Sequence, residues 1–552
     1  MAGLRFLEGV FGRVHTVFSI LKKLLRLSPA PSSHAALSLV TLPADVLHMI
    51  LELLYDPWVC EEERERYDHE ICKGRFLLPL SESCRYMRRQ TLPWIFREVY
   101  NWDRQDGSVW PETLWSFFLT VHIRDRSMRD PGTITLSTAM FCALPMMPSL
   151  TKITLRLEAA ISPELLLALS IAPRLTFLDI HQVRFDGPAP TSSLPFATLE
   201  TLGISISGFR GVLGREMLNI DRNRQARNVI AFLQNLNRSL TVLQISGDLL
   251  SPDFLSLSWP QLRRFTVTEH TPTPYIPVPD LVSQMPLLTE LSILFSADLS
   301  RDRDAGDIFP PFILGTPGGE LLTHRSPLLS SVTLSNMEPT DPIFAQLPRA
   351  LESLHLLAMV DGYLPVRGRP ARLWAALLTH TTAPAALDNV SHLTELRELS
   401  LTLDDFTTAA LIHCIASVFP RLRVLELGNS SYLYGPKFCF DVRDPTILEA
   451  LKGFPLLTDL RISLNFMDRE LDGEGVQRHA AHWMLEGLLG LLTVAFSWEQ
   501  KWWYYGFNMV TWRAWDRTVL LRPPSPPPPE PSLVEEPIDR DPIPPWEQTD
   551  SE

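Results

Sequence analysis

Eleven times between Leu150 and Ile462 the chain writes an apolar residue, two others, an apolar residue, one other and an apolar residue. The copies begin at Leu150 (LTKITL), Leu175 (LTFLDI), Leu199 (LETLGI), Leu240 (LTVLQI), Leu262 (LRRFTV), Leu288 (LTELSI), Leu329 (LSSVTL), Leu351 (LESLHL), Leu396 (LRELSL), Leu422 (LRVLEL) and Leu457 (LTDLRI). Residues two apart in a strand share a face, so the last two apolar positions of a copy, such as Leu178 with Ile180 or Leu425 with Leu427, point together into a core. A single strand cannot bury that face alone, and the recurrence predicts that the copies stack.

Between the copies lie segments with helical spacing: SPELLLALSIAP before Leu175, DPIFAQLP before Leu351, TTAALIHCIASVFP before Leu422 and DPTILEALKGFP before Leu457. Proline stands two residues before the leading leucine at Pro148, Pro173, Pro260, Pro286, Pro327, Pro420 and Pro455, where it ends a helix and releases the chain into an extended segment. The unit is therefore a strand followed by a helix. Starts are about 22 to 26 residues apart where the array is regular and roughly 35 to 45 where a copy carries an insertion. This array resembles irregular leucine-rich repeats, which implies an α/β solenoid: a curved parallel sheet with outer helices. The asparagine of that family, three residues past the last apolar position, is in register only at Asn465. Polar residues between the apolar ones, such as Asp179, Glu200, Gln244, Glu290 and Glu426, form a candidate recognition surface.

Ahead of the repeats, VTLPADVLHMILELL (residues 40–54) places Val46, Leu47, Ile50, Leu51 and Leu54 on one helical face, with Pro43 and Asp45 at its start. FLLPLSESCRYMRRQTLPWIFREV follows, with Leu80, Cys84 and Met87 on one face and Leu92, Trp94, Ile95 and Phe96 opening a third element. Three short helices are predicted. The arrangement resembles the F-box, a small helical module through which substrate receptors join cullin-RING ubiquitin ligases by way of a Skp-type adaptor. The resemblance is carried by Leu42-Pro43, the helix from Asp45 to Leu54, the stretch Leu80 to Arg89 including Cys84, and Leu92-Pro93-Trp94. It implies an adaptor-binding set of Leu42, Pro43, Val46, Leu47, Ile50, Leu51, Leu80, Cys84, Met87, Leu92 and Trp94. An F-box ahead of leucine-rich repeats is the layout of a receptor class abundant in fungi. Where that family commonly has a short loop, this chain inserts the charge-laced segment 56–76, read as a solvated excursion.

The two ends differ in character. Leu4, Leu7, Phe11, Val14, Phe18, Leu21 and Leu25 draw an apolar stripe on a basic helix, which either lies on a membrane surface, serves as a mitochondrial address or docks on the folded body. After the repeats, HWMLEGLLGLLTVAF, within residues 477–496, predicts a helix packed over the last repeat, too short to span a bilayer. Aromatic residues then crowd from Trp498 to Trp515 and either seal the stack or form a recognition patch. Residues 522–552 are rich in proline and acid and are expected to form a disordered tail. The resulting organisation is an amphipathic helix and linker (1–36), the F-box-like module (37–105), a connector or cap (106–147), the solenoid (148–470), an aromatic-rich cap (471–521) and the tail (522–552).

Composition narrows the function. A hydrophobic content of 45% with 20% charged residues supplies a sizeable core. The formal charge of −13 argues against nucleic acid as a partner. Cys60, Cys72, Cys84, Cys142, Cys414 and Cys439 contain no CxxC pair, which disfavours a zinc ribbon or disulfide framework and suits reduced thiols in the cytoplasm or nucleus. Walker, GxSxG, HExxH and dinucleotide-binding patterns are missing from the sequence, and the glycines of ILGTPGGE lack the helix and lysine of a phosphate cradle. The expectation is a non-enzymatic protein without cofactor or metal that links a target protein, through a Skp-type adaptor and a cullin, to a ubiquitin ligase. The alternative is a leucine-rich-repeat interaction scaffold with no ligase role.

Overall fold

The apolar phrase becomes the framework of the molecule. The structure, a computed structural model, describes residues 44–55, 77–102, 111–124, 142–156, 161–181, 184–185, 194, 196–205, 222–269, 272, 275–295, 313–319, 322–357, 378–403, 407–429, 445–464, 473–502 and 507–521. The N-terminal stripe, the insertion 56–76, Asn465 and the tail lie outside the described residues. Within them, one sheet of 15 strands runs in strict chain order. Its strands are β1 (Glu98–Trp102), β2 (Thr120–Arg124), β3 (Lys152–Arg156), β4 (Phe177–His181), β5 (Thr201–Ser205), β6 (Val242–Ser246), β7 (Arg264–Glu269), β8 (Glu290–Phe295), β9 (Ser331–Ser335), β10 (Ser353–Leu357), β11 (Glu398–Leu403), β12 (Val424–Asn429), β13 (Asp459–Ile462), β14 (Thr493–Trp502) and β15 (Phe507–Asp516). The eleven copies are β3 to β13. Neighbours from β1 through β14 pair in parallel, as in β4 beside β5, and β15 returns antiparallel to β14. This is an α/β solenoid of the leucine-rich-repeat kind.

Several of the connections between strands are helical. Three short helices, α1 (Ala44–Tyr55), α2 (Leu77–Ser83) and α3 (Arg85–Ile95), precede the sheet. Within the repeats lie α4 (Pro163–Ser170), α5 (Arg222–Leu233), α6 (Ala383–Asn389), α7 (Ala409–Val418) and α8 (Pro445–Leu451), with single turns such as Ile343–Gln346 elsewhere. Ser162 and Thr408 cap α4 and α7 by accepting the N–H of Leu165 and of Leu411, each at 3.2 Å. The leading leucine and the two later apolar residues of every copy are at most 4% exposed. They belong to one core that continues from Val99 near the start of the sheet to Phe496 in β14.

Strand edges are tied by a ladder that the repeat sequence encodes in its second position. The carbonyl after each leading residue accepts two N–H groups of the next repeat: Thr151 O from Thr176 and Phe177, Arg263 O from Thr289 and Glu290, Arg423 O from Thr458 and Asp459. Where that second residue is Thr or Ser, its hydroxyl donates to the same carbonyl of the repeat before. Thr151, Thr176, Thr241, Thr289, Ser330 and Thr458 all do so, at 3.0 to 3.3 Å. This explains the recurrent LT and LS openings. At the far end of β9 the same task falls to Ser335 and Asn336, which both donate to Phe295 O at 2.8 Å. Asn336 adopts a left-handed φ of 51° there, one residue short of the position expected from the leucine-rich-repeat pattern.

The sheet extends past the repeats on both sides. β1 and β2 fall before residue 148, and β14 and β15 after residue 470. The helix expected across residues 477–496 is corrected: α9 (Gly473–Gly487) ends at a glycine, and the chain turns at Leu488–Leu491 into β14. Leu491, Val494 and Phe496 there repeat the apolar phrase and are fully buried. Beyond it, β15 returns alongside β14, and its Trp515 packs on the core with its ring 5.7 Å from that of Phe496. This favours the seal over the recognition patch for that residue. Among the described residues, no helix is long and apolar enough to cross a membrane.

Residues 313–319, between β8 and β9, are anchored by two buried side chains: Gln346 donates to Thr316 O at 2.6 Å, and Asp341 holds the preceding backbone. Asp341, 3% exposed, accepts the N–H groups of Leu314, Gly315 and Ile343 at 2.5, 2.9 and 2.8 Å. Burial pushes this carboxyl above its ordinary pKa, and the three donors pull it back. Gly315 approaches so closely that a Cβ would overlap the Ile343 nitrogen.

Two outcomes follow for urea unfolding. Thr289→Val, which removes a ladder donor at nearly constant volume, lowers stability by about 1 kcal/mol, whereas Thr154→Val on the open face changes it by less than about 0.5 kcal/mol. Asp341→Ala strands three backbone donors and costs more than either, about 3 kcal/mol.

Candidate functional site

Two surfaces are candidates for function: the helical unit at one end and the face of the sheet turned away from the helices.

The helical unit has a core of its own. Leu47 and Leu51 from α1, Leu77 from α2 and Met87 from α3 bury one another, with Leu80, Tyr86, Trp94 and Ile95 packed around them, separately from the solenoid core. Helical spacing therefore did identify the packed stripe. It did not identify a docking face, because Leu47, Ile50, Leu51 and Met87 are at most 7% exposed. Leu47, Leu51 and Met87 belong with Leu77 to the interior of the unit, and Ile50 is buried as well, a correction to the expectation that these four face a partner. Leu80, Leu92 and Trp94 are half-buried, and Cys84 is exposed. Val46 lies in α1, but its side chain is outside the described residues, as are Leu42 and Pro43 altogether.

Cys84 has a structural task. With φ −161° and ψ 166° it breaks α2 from α3, and its sulfur accepts the Met87 N–H at 3.4 Å as the N-cap of α3. Arg88 Nε closes the corner on Ser81 O at 3.2 Å. The His48 ring stands edge-on to Trp94, with centroids 6.2 Å apart, and the Arg97 guanidinium lies 5.5 Å from the Trp94 centroid. Phe96 then packs against the solenoid core beside Phe118, so the unit is joined to the first strand without a linker.

On the sheet, the register fixes which side chains stand in line. Thr120, Lys152, Phe177, Thr201, Val242, Arg264 and Glu290 form one row of the open face, and His122, Thr154, Asp179, Gly203, Gln244, Thr266 and Ser292 the next. Of the residues expected to recognise a partner, Asp179 is engaged by His181 Nε2 at 2.7 Å, Glu290 by Arg264 at 3.8 Å and Glu426 by Arg461 at 3.1 Å. Gln244 is exposed on the face, and Glu200 is exposed at the strand edge, where its carbonyl serves the ladder. The Asp179 carboxylate leans over Gly203, where a Cβ would collide with it. Glu98 similarly holds His122 at 2.8 Å, and Glu398 lies 3.8 Å from His355. Lys152 is set 4.3 Å from the Phe177 ring centroid. Sequence reading missed this pairing, although a cation and an aromatic residue at the same position of consecutive repeats is a signal for it.

No group of three or more His, Cys, Asp or Glu side chains able to hold a metal occurs among the described residues. The arrangement offers a long, shallow surface of hydroxyls, charges and a few apolar side chains, suited to contact with another macromolecule. Replacing the Cys84 cap tests the local geometry of the helical unit. Cys84→Ala lowers its stability by about 1 kcal/mol, and Cys84→Ser, a better acceptor, keeps or raises it, as read by near-ultraviolet circular dichroism during unfolding.

No family model matches the sequence. No curated protein matches it either. Among solved structures, the chain is similar to the leucine-rich repeat-containing protein LegL7 from Legionella pneumophila, at 12% identity over 74% of this chain and 92% of that one, with a TM-score of 0.29.

Proposed function

We propose that this protein is a non-catalytic substrate-recognition subunit. In this reading α1 to α3 hold a Skp-type adaptor, and through it a cullin, while the open face of the sheet takes the target protein. Ubiquitin transfer is then catalysed by partner enzymes, to which this chain contributes proximity. The observation that carries the reading is the separate core of the helical unit, which leaves Leu80, Leu92 and Trp94 partly uncovered by the solenoid. The docking role falls to these residues with Leu42, Pro43, Val46 and Cys84, and the buried four hold them in place. Cytoplasmic or nuclear residence fits the free thiols of Cys84, Cys142 and Cys414.

The second reading, an interaction scaffold without a ligase role, draws support from the sheet alone. A repeat array presents an extended surface whatever it binds, and fold by itself does not assign a partner.

Coexpression with a Skp-type adaptor separates the two. The full chain copurifies with the adaptor, and a Leu42→Asp, Leu92→Glu variant does not while keeping wild-type circular dichroism. Leu47 is unsuitable for this purpose, because its substitution would empty the core of the unit. Failure of the wild-type chain to copurify leaves the scaffold reading.

A further inference from the structure

The helical unit carries opposite charge on the outer faces of α1 and α3. In α3 the side chains of Met87 and Thr91 are buried, and helical spacing puts Arg85, Arg89 and Pro93 on the opposite side, with Arg88 and Leu92 beside them. Arg85, Arg88 and Arg89 are exposed, and Leu92 is half-buried. No carboxylate among the described residues pairs with any of the three arginines. Arg88 is held by Ser81 O, a neutral acceptor, so its charge stays unmatched. The acids of the unit stand elsewhere. Asp45 and Glu52 lie on the face of α1 opposite the buried Leu47, Ile50 and Leu51, Glu82 lies at the end of α2, and Glu112 is exposed on the turn Glu112–Phe117 that follows β1. The outer stripe of α3 is therefore basic, in a chain whose formal charge is −13.

We propose that the outer stripe of α3 is a docking site for an acidic helix of a partner protein. Arg85, Arg89 and Leu92 follow one another at steps of four and three residues, within about 10 Å along one helix axis. A helix laid beside α3 meets all three with residues at the same steps: two carboxylates on the guanidiniums, and an apolar side chain on Leu92. Arginine pairs with carboxylate bidentately, which fixes the orientation of the partner helix. Arg88, tied to Ser81 O, adds attraction at the edge of the stripe without moving. Charge complementarity selects an acidic occupant, and the negative charge of the remaining chain selects a protein over a nucleic acid. The site rests on the reading of α1 to α3 as a docking unit and deepens it by assigning the chemistry of the partner's surface.

The test is fluorescence anisotropy with the full-length protein and a labelled, alanine-rich helical peptide in which two glutamates four residues apart are followed three residues later by leucine. Saturable binding that weakens with added salt is expected, and the same peptide with glutamine for glutamate does not bind. Arg85→Glu with Arg89→Glu weakens binding at least about tenfold, whereas Arg174→Glu, an exposed charge beside β4, leaves it unchanged. Equal melting temperatures confirm that these variants are folded, and Arg85→Gln with Arg89→Gln, which adds no repulsion, also weakens binding. Equal binding of the two peptides, undiminished binding by the Arg85 and Arg89 variants, or equally tight binding of a labelled single-stranded oligonucleotide overturns the site. Peptide binding by a chain that fails to copurify with the adaptor removes the ligase reading and leaves this site standing. Copurification that is indifferent to the Arg85 and Arg89 variants, without peptide binding, removes this site and leaves the ligase reading.

Discussion

No repeat of this chain can bury its own apolar face. Each strand turns two side chains inward and supplies a leading residue at the corner, and all three find cover only when the next unit is stacked against them. Full burial is worth about 1.5 to 3 kcal/mol for each such side chain, so the incentive to continue the stack is renewed at every repeat. The ladder of backbone and hydroxyl hydrogen bonds at the second position sets the register in which that burial happens. Everything on the open face inherits its position from this register: which cation lies beside which ring, and which carboxylate reaches which histidine.

A stack needs ends, and this one closes them by different means. At the last repeat, β15 reverses direction, and the following turn, Arg517–Leu520, is held by the Arg517 side chain. Its guanidinium donates to Leu491 O and Leu488 O at 2.7 and 2.6 Å. At the first strand the helical unit abuts the sheet through Phe96 while keeping a separate core. That difference matters for function. A cap that merely sealed the solenoid would share its interior with it, whereas α1 to α3 are attached to the body without being absorbed by it.

Much of the fold was legible because the apolar phrase is a direct consequence of strand geometry. All eleven copies read from the sequence are strands, in order. Two further copies escaped notice for identifiable reasons. The one at β2 begins with Phe118 instead of leucine, and the one at β14 sits inside an apolar run whose continuity hides the break after Gly487. β1 keeps Phe96 and Val99 but has Asn101 at the third position. The helical unit was legible as three helices. Its docking residues were not, because spacing tells which side chains share a stripe and not whether that stripe meets a neighbouring helix or a partner. The pairings on the open face, His181 with Asp179 or Lys152 with Phe177, become visible only once the register sets residues side by side.

Independence of the helical unit from a continuous solenoid core is the claim on which the account turns, and hydrogen exchange followed by mass spectrometry tests it most directly. The account predicts that the amides of β3 to β13 exchange slowly and together, while those of α1 to α3 open as a distinct, faster unit whose rate does not change when the solenoid alone is destabilised by Asp341→Ala. One common opening rate for the helices and the sheet would contradict it.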